Sequence, residues 1–149
     1  MSTDLKTLLS SIPKGLREPL LRAFQAIEKN YREMRWEPSE LNGGKLCEVV
    51  YTILKGHVEG KFASRPTKPR NMLEACKAFE NADNKVFPRS VRVQIPRMII
   101  ALYEIRNNRG VGHVGGDVGP NHMDAVLVVG MAKWILAELI RLFHGETSQ

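Results

Sequence analysis

After Pro120, the residues Val126, Leu127, Val129, Trp134, Ile135, Leu139, Leu142 and Phe143 fall on most of the circumference of one helix. A helix that is apolar on nearly every side belongs in the centre of a bundle or in an interface, so other helices must surround it. The rest of the chain supplies them. Between Leu16 and Trp36 the residues Leu20, Phe24, Ile27, Tyr31 and Met34 recur at intervals of three and four, the stripe of an amphipathic helix. Pro38, followed by Ser39 and Glu40, reads as a stop and restart; Val49, Val50, Ile53, Leu54, His57 and Val58 then mark a second helix ending near Gly60. Residues 62 to 70, with Pro66 and Pro69 among basic side chains, predict a loop, and Met72, Cys76 and Phe79 outline a short third helix ending near Asn81. From Pro88 to Arg97 two readings compete: Val91, Val93 and Ile95 alternate as in a strand, while Pro96 suits the first turn of a helix. Met98, Leu102 and Ile105 share a face, which places Arg106 and Asn107 at the end of that helix, just before a run of glycines. The pattern predicts an all-α fold: a helical bundle of four long helices plus one or two short ones.

At 149 residues the chain suits one domain, residues 1 to 149, with one core. Its hydrophobic content of 43% and charged content of 26% exclude wholesale disorder and fibrous repeats. The longest apolar run, Ala125 to Ala132, is far shorter than the roughly 18 residues that a membrane helix needs. The opening MSTDLKTLLSSIPKG has no basic lead-in to a signal sequence, so a cytoplasmic protein without membrane partners is expected. Cys47 and Cys76 are too far apart for a CxxC metal or redox site, and reduced, half-buried thiols are expected.

The net charge of +6 is concentrated. Residues 61 to 97 hold nine Lys and Arg against three acids, whereas the flanking segments are close to balance. Such a segment suits a polyanionic partner, and it points to nucleic acid once the downstream motif is considered. That motif is Arg106-Asn107-Asn108-Arg109-Gly110-Val111-Gly112-His113. It sets a permanent planar cation, two amides and a titratable imidazole beside a glycine-rich backbone. Arginine matches phosphate oxygens, and histidine both takes and gives protons near neutrality, so the pattern suits phosphodiester chemistry. Arg106 also suits capping the carboxyl end of its helix, and His113 a hydrogen bond to the reversing loop.

An Arg, a polar residue, and a His after four to six positions resemble the motif of the HEPN superfamily. The stretch IRNNRGVGHVGGDV, from Ile105 to Val118, is similar to its abortive-infection C-terminal-like branch. The resemblance is strongest over residues 98 to 143. It implies a HEPN-like bundle, a homodimer whose two motifs face one cleft, and a metal-independent endoribonuclease of toxin or phage-defence type, held in check by a cognate antitoxin or regulatory protein. By the same resemblance His113 transfers the proton of a ribose 2′-OH, Arg106 stabilises charge on the phosphorane, and Asn107 orients His113 or the phosphate. RNA contacts are expected from Asn108 and Arg109 within the motif and from Lys68, Arg70, Arg89, Arg92 and Arg97 in the basic segment. A non-catalytic HEPN-like module binding RNA, a nucleotide or a protein is the alternative. No cofactor is expected.

Other patterns carry less. Gly110-Val111-Gly112-His113-Val114-Gly115 matches GxGxxG, but a helical pattern precedes it where a dinucleotide site needs a strand. His113, Asp117 and His122 are a thin ligand set without helix-borne spacing, so no metal is expected. His57 reads as a hydrogen-bonded core or interface histidine, and Trp36 and Trp134 as packing residues rather than base-stacking platforms.

Overall fold

The computed structural model describes residues 2–108 and 119–147, with side chains over 5–39, 41–108 and 119–144. The described residues are helical, without a strand. α1 (Ser2–Leu8), which the sequence pattern did not single out, precedes α2 (Lys14–Arg32), α3 (Trp36–Glu59), α4 (Met72–Lys77), α5 (Ile95–Asn108) and α6 (His122–Thr147). A 3₁₀ turn at Ala78–Asn81 extends α4, and a π turn at Ser90–Gln94 runs directly into α5.

α2 buries Leu16, Leu20, Phe24 and Ile27, the stripe that its sequence spacing predicts. It ends earlier than the stripe suggests. The N–H groups of Met34 and Arg35 donate back to the carbonyls of Tyr31 and Asn30, at 3.1 and 2.8 Å, closing a Schellman turn with Met34 at the left-handed position (φ 59°). α3 then starts at Trp36, so Pro38 lies inside its first turn, where a missing N–H costs nothing, rather than marking a stop. Gly60 closes α3 at φ 79°.

α3, not α6, occupies the centre: it packs against α2, α5 and α6, and Leu46, Cys47, Val49, Val50, Tyr51, Ile53 and Leu54 are all buried. α6 sinks Ala125, Val128, Ala132, Ile135, Leu139 and Phe143 into the same core but leaves Met123, Val126, Leu127 and Trp134 exposed. Trp134, expected as a packing residue, is 40% exposed. His57 is held at the core edge by its ring, edge-on to Phe87 and Phe143 at centroid distances of 5.4 and 5.0 Å.

The ambiguous segment resolves as helix. Pro88 begins it, its carbonyl accepting from Val91 and Arg92 at 3.1 and 3.2 Å, and Val91, Val93 and Ile95 are buried in a widened turn rather than alternating along a strand. The cause of the widening is Pro96, which has no N–H for the Arg92 carbonyl and whose ring would collide with it in a regular helix. The Ile95 N–H accordingly reaches back five residues, to Ser90.

Cys47 and Cys76 are free and fully buried, deeper than expected. Burial pushes the Cys76 thiol up to about 12 from an ordinary 9.0, and Cys47 higher still. A thiol whose folded pKa is raised adds stability below its unfolded pKa and loses that contribution as pH climbs towards the folded value. The unfolding free energy is therefore expected to fall between about pH 9 and 12, as a urea titration across that range would read. At pH 8 both thiols should resist a thiol reagent until denaturant is added.

Candidate functional site

Residues 60–71 connect α3 to α4 without regular structure, yet they are fastened to the bundle at three points. Phe62 lies on Gly56, where an added Cβ would be 2.4 Å from the ring. The Ser64 carbonyl oxygen presses on Gly15, where an added Cβ would be only 1.9 Å away. The Thr67 N–H donates to the buried Thr52 Oγ1 at 2.9 Å, and the Thr52 hydroxyl is itself 2.8 Å from the Glu48 carbonyl. The last fastening places Lys68 and Arg70 beside the carboxyl end of α5. Asn71 then starts α4 with a capping-box pattern, its Oδ1 accepting from the Glu74 N–H at 3.1 Å.

At the end of α5, Arg106 is braced from three sides. Its stem crosses Gly44 of α3, where a Cβ would lie 2.7 Å from Cδ and 2.9 Å from Nε. Its guanidinium stands over the Tyr103 ring, 5.5 Å from the centroid, and Nη1 donates to Asn107 Oδ1 at 3.1 Å. Tyr103 is fixed in turn by donating to Glu48 Oε2 at 2.9 Å. Burial, helped by that carboxylate, pushes the Tyr103 phenol up to about 12, so it stays a neutral donor at physiological pH. Among the described residues no carboxylate forms an ion pair with Arg106.

Lys68, Arg70, Asn71, Tyr103, Arg106 and Asn107 line one open cleft of about 580 Å³. Among the described residues three cations there face a single acid, Glu104. A fixed planar cation flanked by two more positive charges is a seat for an anion with several oxygens.

The structure thus brings together four of the residues singled out from the sequence, Lys68, Arg70, Arg106 and Asn107. Asn107 orients Arg106 itself. Asn108 turns away, donating to both the carbonyl and the carboxylate of Glu104. Arg89, Arg92 and Arg97 do not join the cleft. They sit at or before the start of α5, and Arg97 is nine residues from Arg106, about 13 Å along the axis. Arg97 pairs with Glu80 at 2.9 Å, and Arg92 donates to the Phe87 carbonyl at 3.0 Å. Arg109, His113 and Asp117 lie outside the described residues. Among those described, no three His, Cys, Asp or Glu side chains gather as a metal site.

Sequence pattern alone passed over Glu48, Tyr103 and Asn71. Tyr103 carried a usable signal, since it stands one turn before Arg106 and shares its face. Gly44 offers a separate check on Arg106. Gly44→Ala is expected to displace the flexible arginine stem rather than the backbone, weakening anion binding several-fold while shifting the urea midpoint little; titration with a fluorescent oligonucleotide beside a denaturation curve would read both.

No family model, no curated protein and no solved structure matches this chain.

Proposed function

We propose that this chain is a HEPN-like endoribonuclease that binds single-stranded RNA in the cleft at the end of α5 and cleaves it without a metal. The observation that carries the reading is the bracing of Arg106: a guanidinium held by Gly44, Tyr103 and Asn107 at the mouth of a cleft shared with Lys68 and Arg70. A cation fixed before the reaction stabilises developing charge without reorganising, which is the largest single source of catalysis in many enzymes. In the proposed reaction the ribose 2′-oxygen attacks the adjacent phosphorus, and its proton passes to His113. The bond to the 5′-oxygen breaks, that oxygen takes a proton from solvent, and His113 later returns its own proton to solvent. The products are a 2′,3′-cyclic phosphate and a 5′-hydroxyl. Arg106 neutralises the negative charge on the phosphorane, while Lys68 and Arg70 hold the flanking phosphates.

The test is incubation of the purified protein with single-stranded RNA in excess EDTA, followed by analysis of the cut ends. Cyclic-phosphate ends on RNA, with DNA of the same sequence left intact, are expected. Salt-sensitive binding without any cleavage would replace the enzyme by the non-catalytic binding module.

We further propose that the working form is a homodimer joined through α6. Met123, Val126, Leu127, Gly130 and Trp134 form one exposed stripe along it. Gly130 has open space where a side chain would stand, so two copies of α6 crossing there would place Val126 of each against Trp134 of the other. Val126→Asp is expected to convert the dimer to a monomer in sedimentation equilibrium and to lower cleavage with it. An unchanged mass would place the interface elsewhere.

A further inference from the structure

We propose that Tyr31, Trp36 and His122 form a stacking site for one nucleobase of the bound strand. The inference rests on the RNA reading of the Arg106 cleft and adds a second contact to it. The three rings come from separate elements, α2, the start of α3 and the first residue of α6, and close on one another. His122 stacks on Tyr31 at 5.9 Å and 22°, stands 5.1 Å from Trp36, and has Nε2 3.4 Å from the Tyr31 hydroxyl. With Arg32 and Met34 they line an open cleft of about 380 Å³.

Two features of this corner have no explanation in stability. Met34 is 74% exposed, a large apolar side chain left in water. Its backbone is also left-handed at φ 59°, the position of a Schellman turn where glycine is the usual residue and where a side chain is strained. Residues held in this conformation cluster at functional sites. A polarisable thioether beside three rings suits the edge of a flat heteroaromatic guest. Arg32 selects the kind of guest: a cationic ligand would be repelled by it, whereas a base carrying its phosphate gains from it.

The site is placed to act with the other cleft. Trp36 stands eight residues before Gly44, the glycine that Arg106 crosses, so the two clefts are about 12 Å apart along α3. Trp36 is also seven residues before Gly43, whose missing side chain admits Val128 of α6, so Trp36 lies on the face of α3 that meets α6. One strand can seat a phosphate on Arg106 and a neighbouring base between Trp36 and Met34.

The experiment follows Trp36 emission in a Trp134→Phe background whose mass in sedimentation equilibrium and hexamer affinity match wild type, using a single-stranded RNA hexamer and inorganic polyphosphate as separate probes. The hexamer is expected to quench Trp36 saturably; polyphosphate is expected to bind without quenching. Trp36→Leu should weaken the hexamer about 10- to 100-fold, the usual size of one stacking contact, and leave polyphosphate affinity unchanged. Trp36→Phe should restore most of the loss. Met34→Gly should raise the melting temperature and yet weaken the hexamer several-fold, an opposition that a packing role would not produce. Hexamer binding with Trp36 emission unchanged would overturn the stacking site and leave the Arg106 reading intact. So would an equal loss of both probes on Trp36→Leu, or undiminished hexamer binding by Met34→Gly. Failure of the wild type to bind either probe would overturn both.

Discussion

Replacing His113 by alanine is expected to slow RNA cleavage about 10²- to 10⁴-fold, the usual contribution of a positioned acid or base. Arg106→Ala should cost about 10²- to 10³-fold, as loss of one preorganised charge-stabilising donor does. The two losses should differ in kind. Removing the imidazole abolishes the limb of the pH–rate profile that depends on its protonation, whereas removing the guanidinium lowers the whole profile and weakens RNA binding as well. Arg106→Lys keeps the charge but loses the planar fork, and should fall between wild type and alanine. Single-turnover rates across pH 5 to 9, on protein whose circular dichroism is unchanged, would measure all three. Equal activity in wild type and His113→Ala would remove the histidine from the mechanism.

The largest effect on stability is expected at Gly15. An alanine there would put its Cβ 1.9 Å from the Ser64 carbonyl oxygen and 3.0 Å from its carbon, so main chain must move. The segment has little room to yield, because Phe62 sits on Gly56 just before it and Thr67 is bonded to Thr52 just after. Overpacking costs about 1 to 3 kcal/mol and occasionally more, and the upper end is expected where main chain is the obstacle. Urea denaturation should show that loss, and RNA binding should drop further than stability explains if the segment lifts and carries Lys68 and Arg70 with it. A loss under about 1 kcal/mol would mean that the loop is held less firmly than its three fastenings imply.

The helices were legible because local period decides them. Leu20, Phe24 and Ile27 report their face by spacing alone, and Gly60 announces a helix end by chemistry that its neighbours do not override. What failed depended on distance in sequence. The burial of α3 rather than α6 at the centre follows from how three partners arrange around it, and nothing in either segment states that. The strand-like alternation at Val91, Val93 and Ile95 left two readings open because a π turn also buries nearby positions, and only the effect of Pro96 on the preceding carbonyl separates the two. Within the cleft, Arg106 and Asn107 were visible as chemistry, but Glu48, more than fifty residues away, could not be connected to Tyr103 before the fold joined them. The basic segment is continuous in sequence, whereas the fold divides it between the two ends of α5.

The widened turn before Pro96 has a consequence for how the chain tolerates change. Each residue of a regular helix rotates the next by about 100°, so one residue more or fewer at Ser90–Gln94 would swing everything downstream on α5 by that angle. Arg106 would then leave Gly44, and Tyr103 would leave Glu48, for a different side of the bundle, with their own neighbours in sequence untouched. The aim of the cation is thus inherited from a proline ten residues upstream. A single-codon insertion or deletion at that turn would disarm the cleft as thoroughly as mutating the arginine.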